Sequence, residues 1–473
     1  MKKAILTACA VCLFAGLAAA ADKPNILFVI ADQWRSSAFG FAGDPNVHTP
    51  HLDSLHAESV DFLNAVSSMP VCTPMRASMQ TGQRALTHGL FMNDQPLDPN
   101  AVTLAKVLKQ AGYDTGFIGK WHINGGNRSG FIPRERRQGY DYWKVLECTH
   151  QYNNSSYYAD GPELLKWKGY DAIAQTKDAQ QYLADHAKAD KPFCLVLAWG
   201  PPHDPYGEAP PKYRALYSPN QIRLRPNVPA SLFARARVSQ AGYYAHCTAL
   251  DDCIGNLMAT LRATGLESNT IVIFTADHGD LLGSHGAFLK QQPYDECLRV
   301  PLLVHWPHGL GAAAQSRDTV FCSEDFMPTL LGLCAVPIPP TVQGQDYSDY
   351  LRGGKNPADG AALISCVIPF GNWDRDKGGR EYRGLRTARY TYVRDLKGPW
   401  LLFDDETDPY QMNNLVNRPE AAKLQAELDT ALMRKLSENG DQFLPGNDYV
   451  KMWEPKWSAY DPHNSGNDKP AGE

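Results

Sequence analysis

Asn25-Ile26-Leu27-Phe28-Val29-Ile30, followed at once by Ala31-Asp32-Gln33, is the stretch that decides the fold. A short apolar run that ends in a carboxylate reads as a buried strand delivering a polar residue to its carboxyl end. Three further runs repeat the pattern. Residues 115–118 lead to Lys120-Trp121-His122, residues 193–199 to His203-Asp204, and residues 271–274 to Asp277-His278. Helical patterns fit between them, notably residues 102–111, apolar at Val102, Leu104, Val107 and Leu108, and residues 239–264. The alternation predicts an α/β fold, a large mostly parallel sheet flanked by helices, across residues 22–350. Ligands of such sheets bind outside the carboxyl ends of the strands, so four chemically loaded strand ends point to one crevice.

Composition changes at Arg352-Gly353-Gly354-Lys355-Asn356-Pro357, which reads as a linker. Strand-like runs at 361–368, 384–388 and 390–393 and a helical pattern at 419–437 predict a smaller C-terminal α+β subdomain over residues 358–445. The remaining tail, residues 446–473, carries Trp453, Trp457 and Tyr460 among prolines and glycines and reads as a segment that wraps the surface or stays mobile. At the other end, Lys2-Lys3, an apolar stretch over residues 4–17 and Ala18-Ala19-Ala20-Ala21 have the layout of a cleaved secretory signal, residues 1–21. This implies a periplasmic or secreted protein. Leu6-Thr7-Ala8-Cys9 has the form of a lipoprotein box, but almost no apolar segment precedes it.

The chain has 473 residues, 43% hydrophobic and 21% charged, with a formal net charge of -5 and no basic block. That argues against nucleic-acid binding and attraction to an anionic membrane, and no later run is long enough for stable membrane insertion. Eleven cysteines fall to nine after the signal, at irregular spacings without a Cys-x-x-Cys pair; they read as buried small side chains, with one or two unassigned disulfides allowed for. Only Cys72 has a chemically suggestive setting.

That setting is Cys72-Thr73-Pro74-Met75-Arg76-Ala77-Ser78-Met79-Gln80-Thr81-Gly82. It resembles the Cys-x-Pro-x-Arg-x-x-x-x-Thr-Gly signature of the type I sulfatases of the alkaline phosphatase superfamily, whose cysteine becomes formylglycine. The resemblance extends in order through residues 24–32, His48-Thr49-Pro50, Gly119-Lys120-Trp121-His122, His203-Asp204-Pro205, Thr275-Ala276-Asp277-His278-Gly279, Lys290, residues 382–387 and residues 412–415. It implies a sulfuric ester hydrolase acting through a formylglycine-sulfate intermediate, a maturation enzyme that modifies Cys72, and a calcium ion held by Asp32, Gln33, the residue at 72, Asp277 and His278. Many members carry Asp and Asn where Gln33 and His278 stand here, so magnesium remains an alternative.

The chemistry of a sulfate monoester asks for the same parts: cations, an activated nucleophile and a proton donor. Arg76 is expected to hold the modified side chain, Lys120, His122 and Lys290 to surround the sulfate oxygens, and His203, with an imidazole near its ordinary pKa, to protonate the departing alcohol. Sulfated carbohydrate is the expected substrate, on the family and the exported location together. His150, Asn154, Arg375 and His285 are the candidate sugar contacts, although as lone histidines His88, His150, His246 and His305 read by default as structural. Two alternatives stand beside this reading: a phosphodiesterase or phosphonate monoester hydrolase of the same superfamily, and a glycan-binding protein without catalysis.

Overall fold

The computed structural model describes residues 23–461, so the signal-peptide and lipoprotein readings lie outside the described residues. Fourteen strands occur among them, in chain order β1 Asn25–Asp32, β2 Val60–Val66, β3 Asp114–Lys120, β4 Tyr142–Leu146, β5 Ser156–Tyr157, β6 Leu165–Lys166, β7 Phe193–Pro202, β8 Thr270–Ala276, β9 Leu302–His305, β10 Gln315–Cys322, β11 Ala361–Cys366, β12 Tyr382–Thr387, β13 Tyr390–Asp395 and β14 Gly398–Asp404.

Eight of them form the main sheet in the order β10-β2-β9-β8-β1-β7-β3-β4. All neighbours are parallel except β9, which runs antiparallel to both β8 and β2. Strands β1, β7 and β8 are buried almost throughout because helices cover both faces, which is why their sequences are continuous apolar runs. The 32-residue helix Phe233–Thr264 and the helix Asp171–His186 pack together, and the longer one also packs against β7. The four strands with loaded ends are consecutive in space, β8-β1-β7-β3. Gly119 makes that closeness feasible next to Lys120: at φ +106, a Cβ there would stand 2.1 Å from the Ala198 carbonyl oxygen.

The second sheet, β11-β12-β13-β14, is antiparallel. One face packs Leu385, Tyr392 and Leu402 against Leu428, Leu432 and Leu436 of the helix Ala422–Glu438. The other joins Ile364, Tyr382 and Val393 to Val66, Leu298 and Val320 of the larger unit. β14 has no counterpart in the sequence reading, since Trp400-Leu401-Leu402-Phe403 is too short a run to distinguish from loop packing. In the tail, Gly446–Tyr460 is a helix, with Pro455 inside it and the Trp457 indole N–H donating to the Gly89 carbonyl at 3.1 Å. The nine described cysteines are all unpaired, so the disulfides allowed for are not formed. No described helix is long and apolar enough to cross a membrane.

Candidate active site

The strand ends meet at Cys72, the first residue of the fully buried helix Cys72–Thr81. Its sulfur has Lys290 Nζ at 3.1 Å, His278 Nε2 at 3.3 Å, Lys120 Nζ at 3.6 Å and Asp32 Oδ1 at 3.7 Å. One turn along the same helix, Arg76 reaches back beneath the cluster. Its guanidinium donates to Asp277 Oδ2 at 3.0 Å, Asp32 Oδ2 at 3.3 Å and the Lys120 carbonyl at 2.8 Å. Lys120 also donates directly to Asp32. Burial and the Asp32 carboxylate push the Cys72 thiol up, yet Lys120, Lys290 and His278 outweigh them and hold it well below the ordinary thiol range. Burial likewise opposes ionisation of Asp32, but Lys120, His203, Lys290 and Arg76 keep its carboxyl well below the usual range. The pocket is thus built around an anionic atom at position 72.

Asp32, Cys72, Asp277 and His278 are all buried, and each offers a ligand atom within 4.8 Å of the others. Gln33 is the fifth residue that the sequence reading assigns to the metal. Its backbone takes φ +69, a left-handed conformation that is costly for a residue with a Cβ and typical of functional sites. Its amide N–H donates to Asp280 Oδ2 at 2.8 Å, which leaves Oε1 buried with no hydrogen-bond partner. An orphaned buried amide oxygen on the residue next to Asp32, with two carboxylates and an imidazole clustered there, fits a divalent cation that offsets the crowded charge. His278 is oriented for this by its Nδ1 at 3.0 Å from the Gly279 carbonyl, which leaves Nε2 facing the carboxylates, 3.5 Å from each.

Above the cluster opens a cavity of about 230 Å³, whose lining includes Lys120, His122, His150, His203 and Lys290. His203 Nε2 lies 2.8 Å from Lys290 Nζ, and its Nδ1 lies 2.8 Å from the Asp204 carbonyl. Burial and then the Lys290 ammonium hold its imidazole well below the ordinary histidine range, so the expectation of an unperturbed pKa is corrected: in the resting site His203 is neutral and accepts from Lys290. His122 sits at φ +61, with Nε2 3.1 Å from Asp94 Oδ1. Arg128 grips the same carboxylate through two bonds of 2.8 and 2.7 Å. The sequence reading had no place for Asp94, Arg128 or Asn93, which belong to no loaded strand end, or for Asp280, which lies two residues past His278.

The four candidate sugar contacts fare differently. His150 lines the cavity, its ring stacked on His203 at 4.8 Å between centroids. Asn154 turns away into a local turn, its side-chain oxygen accepting from the Gly169 N–H at 3.0 Å. Arg375 is drawn off by Glu381, and the nearby cavity lining comes instead from Phe370, Gly371 and Asn372. His285 stacks face to face on Tyr294 at 3.7 Å and sits 3.4 Å from Glu296, outside the cavity. In each of these three, a neighbour close at hand has satisfied the side chain. His88 and His246 are core residues, each pushed down to about 3 by burial.

An α/β sheet whose strand ends bring carboxylates, cations and a nucleophile position to one pocket defines a hydrolase of anionic esters. The sulfatase family model matches residues 24–336, and a second model, N-sulphoglucosamine sulphohydrolase, C-terminal, matches residues 283–438. The chain belongs to the sulfatase family, and it is an enzyme. An ulvan-active sulfatase of Formosa agariphila is 46% identical over 440 residues, covering 91% of this chain and 84% of that one. An endo-4-O-sulfatase of Bacteroides thetaiotaomicron is 30% identical, covering 87% and 92%. Among solved structures, a sulfatase of Bacteroides fragilis superposes with a TM-score of 0.82 at 30% identity, covering 91% of this chain and 98% of that one. A complex with D-glucosamine-2-N,6-O-disulfate superposes at 0.76 and 25% identity, covering 90% and 99%. The family implies formylglycine and a divalent metal.

Proposed function

We propose that this chain hydrolyses O-sulfate esters on carbohydrates, using formylglycine at position 72 and a calcium ion held by Asp32, Gln33, Asp277 and His278. The observation that carries the reading is the anion-stabilising shell around position 72, formed by Lys290, His278 and Lys120 within 3.6 Å of the sulfur. Relatives named for ulvan and for endo-4-O-sulfate support the carbohydrate substrate. Calcium is supported by a donor set that is mostly carboxylate and amide oxygen, as a hard cation prefers.

The buried charges favour an anionic substrate. Arg76, Lys120 and Lys290 stand against Asp32 and Asp277, which leaves the protein groups one net positive charge. A bound divalent cation supplies further Lewis-acid neutralisation of the sulfate oxygens, and formylglycine supplies a hydrated aldehyde as nucleophile. Lys120 and Lys290 flank the nucleophile position and bind sulfate oxygens, whose developing charge they stabilise without reorganising. Arg76 holds the two carboxylates apart from beneath. His122, fixed by the Asp94–Arg128 pair, is the further contact to the sulfate group.

His203 is the proton donor to the departing alcohol. An ester anion entering between the lysines raises the imidazole's proton affinity, so that it takes up a proton from solvent, while Lys290, 2.8 Å from Nε2, keeps its ammonium charge against the sulfate. His150, stacked behind His203, keeps that ring in plane.

We read residues 22–350 as the catalytic unit and 358–445 as a subdomain that closes one wall of the pocket, on the bond between Gln291 Nε2 and the Phe370 carbonyl at 2.8 Å. Maturation by a formylglycine-generating enzyme and export after signal cleavage belong to the same reading. The test is sulfate release from a panel of sulfated mono-, oligo- and polysaccharides, ulvan included, beside aryl phosphodiester and phosphonate monoester controls. Turnover confined to the phosphorus esters would refute it.

A further inference from the structure

The catalytic cavity does not end at the sulfate-binding cluster. Across Asp204, Leu289 and Asn372 it shares a wall with a larger compartment of about 520 Å³, lined in part by Tyr206, Arg235, Phe288 and Trp373. The inner compartment, about 230 Å³, is below the ~300–1,000 Å³ that drug-sized ligands occupy. It is scaled to one sulfated ring. The outer compartment has room for what that ring is attached to.

Its chemistry is specific. The Arg235 guanidinium carbon lies over the Phe288 ring, 3.9 Å from the centroid. The other cation lining the outer compartment, Lys377, is occupied by Asp374, whereas among the described residues no carboxylate is paired with Arg235. A guanidinium held over an aromatic ring is restrained in position and still has N–H groups to offer, which suits it to a carboxylate or a sulfate. The rings of Tyr206 and Trp373 supply apolar faces of the kind that cover the C–H side of a sugar. Asp204, on the shared wall, carries an acceptor suited to a hydroxyl between the two units.

We propose that the outer compartment is a subsite for the sugar unit next to the one that loses its sulfate, and that Arg235 recognises an anionic substituent on that unit. The inference rests on the reading of the chain as a carbohydrate O-sulfatase and makes its natural substrate an anionic oligosaccharide or polysaccharide. Arg235 is exposed near the start of the helix Phe233–Thr264 and touches none of the catalytic groups, so replacing it leaves the reaction centre intact.

The experiment compares wild type and Arg235→Ala on four substrates that share one target sulfate: the monosaccharide, a tetrasaccharide with neutral neighbours, one with a neighbouring uronate and one with a neighbouring second sulfate. The variant should lose about tenfold or more in kcat/KM on an anionic tetrasaccharide, the size of one lost charge-assisted contact, and change less than about twofold on the neutral one and the monosaccharide. Whichever anionic substrate shows the loss identifies the substituent. Unchanged kinetics on both anionic tetrasaccharides, or an equal loss on the neutral one, would overturn the subsite while leaving the sulfatase reading standing. Turnover of aryl sulfate with none on any sugar would instead remove the carbohydrate reading, and the subsite with it.

Discussion

Asp280→Asn is the most discriminating perturbation of the metal site, because it alters no ligand. Asp280 is fully buried, and its two oxygens divide their work. Oδ1 accepts from the Leu282 and Leu289 backbone N–H groups at 3.0 and 2.9 Å, and Oδ2 accepts from Gln33 Nε2 at 2.8 Å and from the Tyr206 hydroxyl. An asparagine keeps one oxygen for the backbone donors and turns its amide N–H toward the other two partners. Tyr206 can rotate its hydroxyl to accept. Gln33 cannot: its N–H would face another N–H unless the amide flips, and the flip presents nitrogen rather than Oε1 to the cation. Losing such an outer partner costs roughly 10–100-fold in metal affinity, or ~1.4–2.7 kcal/mol. Calorimetric titration of chelator-stripped protein with calcium, alongside thermal melting, measures it. Gln33→Glu in the same background should recover most of the affinity, since a carboxylate accepts from the new amide and still offers an oxygen to the ion. Unchanged calcium affinity in a well-folded Asp280→Asn protein would refute the orientation argument.

Peptide mass spectrometry of active protein should find formylglycine at position 72, and Cys72→Ser should fold but release no sulfate; an unmodified thiol in fully active enzyme would end the mechanism. Chelation, or Asp277→Ala, should abolish turnover, and activity that survives exhaustive chelation would contradict the metal's role. His203→Ala should cost far more on a sugar sulfate, whose alkoxide needs a proton, than on an activated aryl sulfate, whose phenolate leaves unaided; equal losses would remove His203 from the acid role. Burial raises the Asp171 carboxyl to about 8, so its neutral form is favoured in the folded state. That contribution is complete below the unfolded carboxylate's pKa and is lost as pH rises through 8, so melting temperature should fall less between pH 6 and 9 in Asp171→Asn than in wild type. Parallel curves would refute it.

The chemistry-bearing strand ends were legible in the sequence because each is local: an apolar run and the polar residues just past it are fixed by a few consecutive positions, as at Asp32, Lys120, His203 and Asp277. The signature around Cys72 and Arg76 is local for the same reason, a nucleophile position and a cation one helical turn apart. That these strands are adjacent, β8-β1-β7-β3, was decided by the sheet, since strand order depends on long-range packing rather than on any segment's pattern. Electrostatics shifted with it. His203 looked like a histidine near its ordinary pKa, and only the fold set Lys290, distant in the chain, against its Nε2. Partner choice was likewise tertiary: Asp280 reaches Gln33 across 247 positions, while Asn154, Arg375 and His285 were claimed by Gly169, Glu381 and Tyr294 before they could face the pocket. A sequence determines which chemical groups are available and how they are spaced along an element. Which groups remain free to act is determined by the partners that the fold sets within reach: burial compels the Gln33–Asp280 pair, while the exposed Asn154 and Arg375 are engaged by neighbours that packing places beside them.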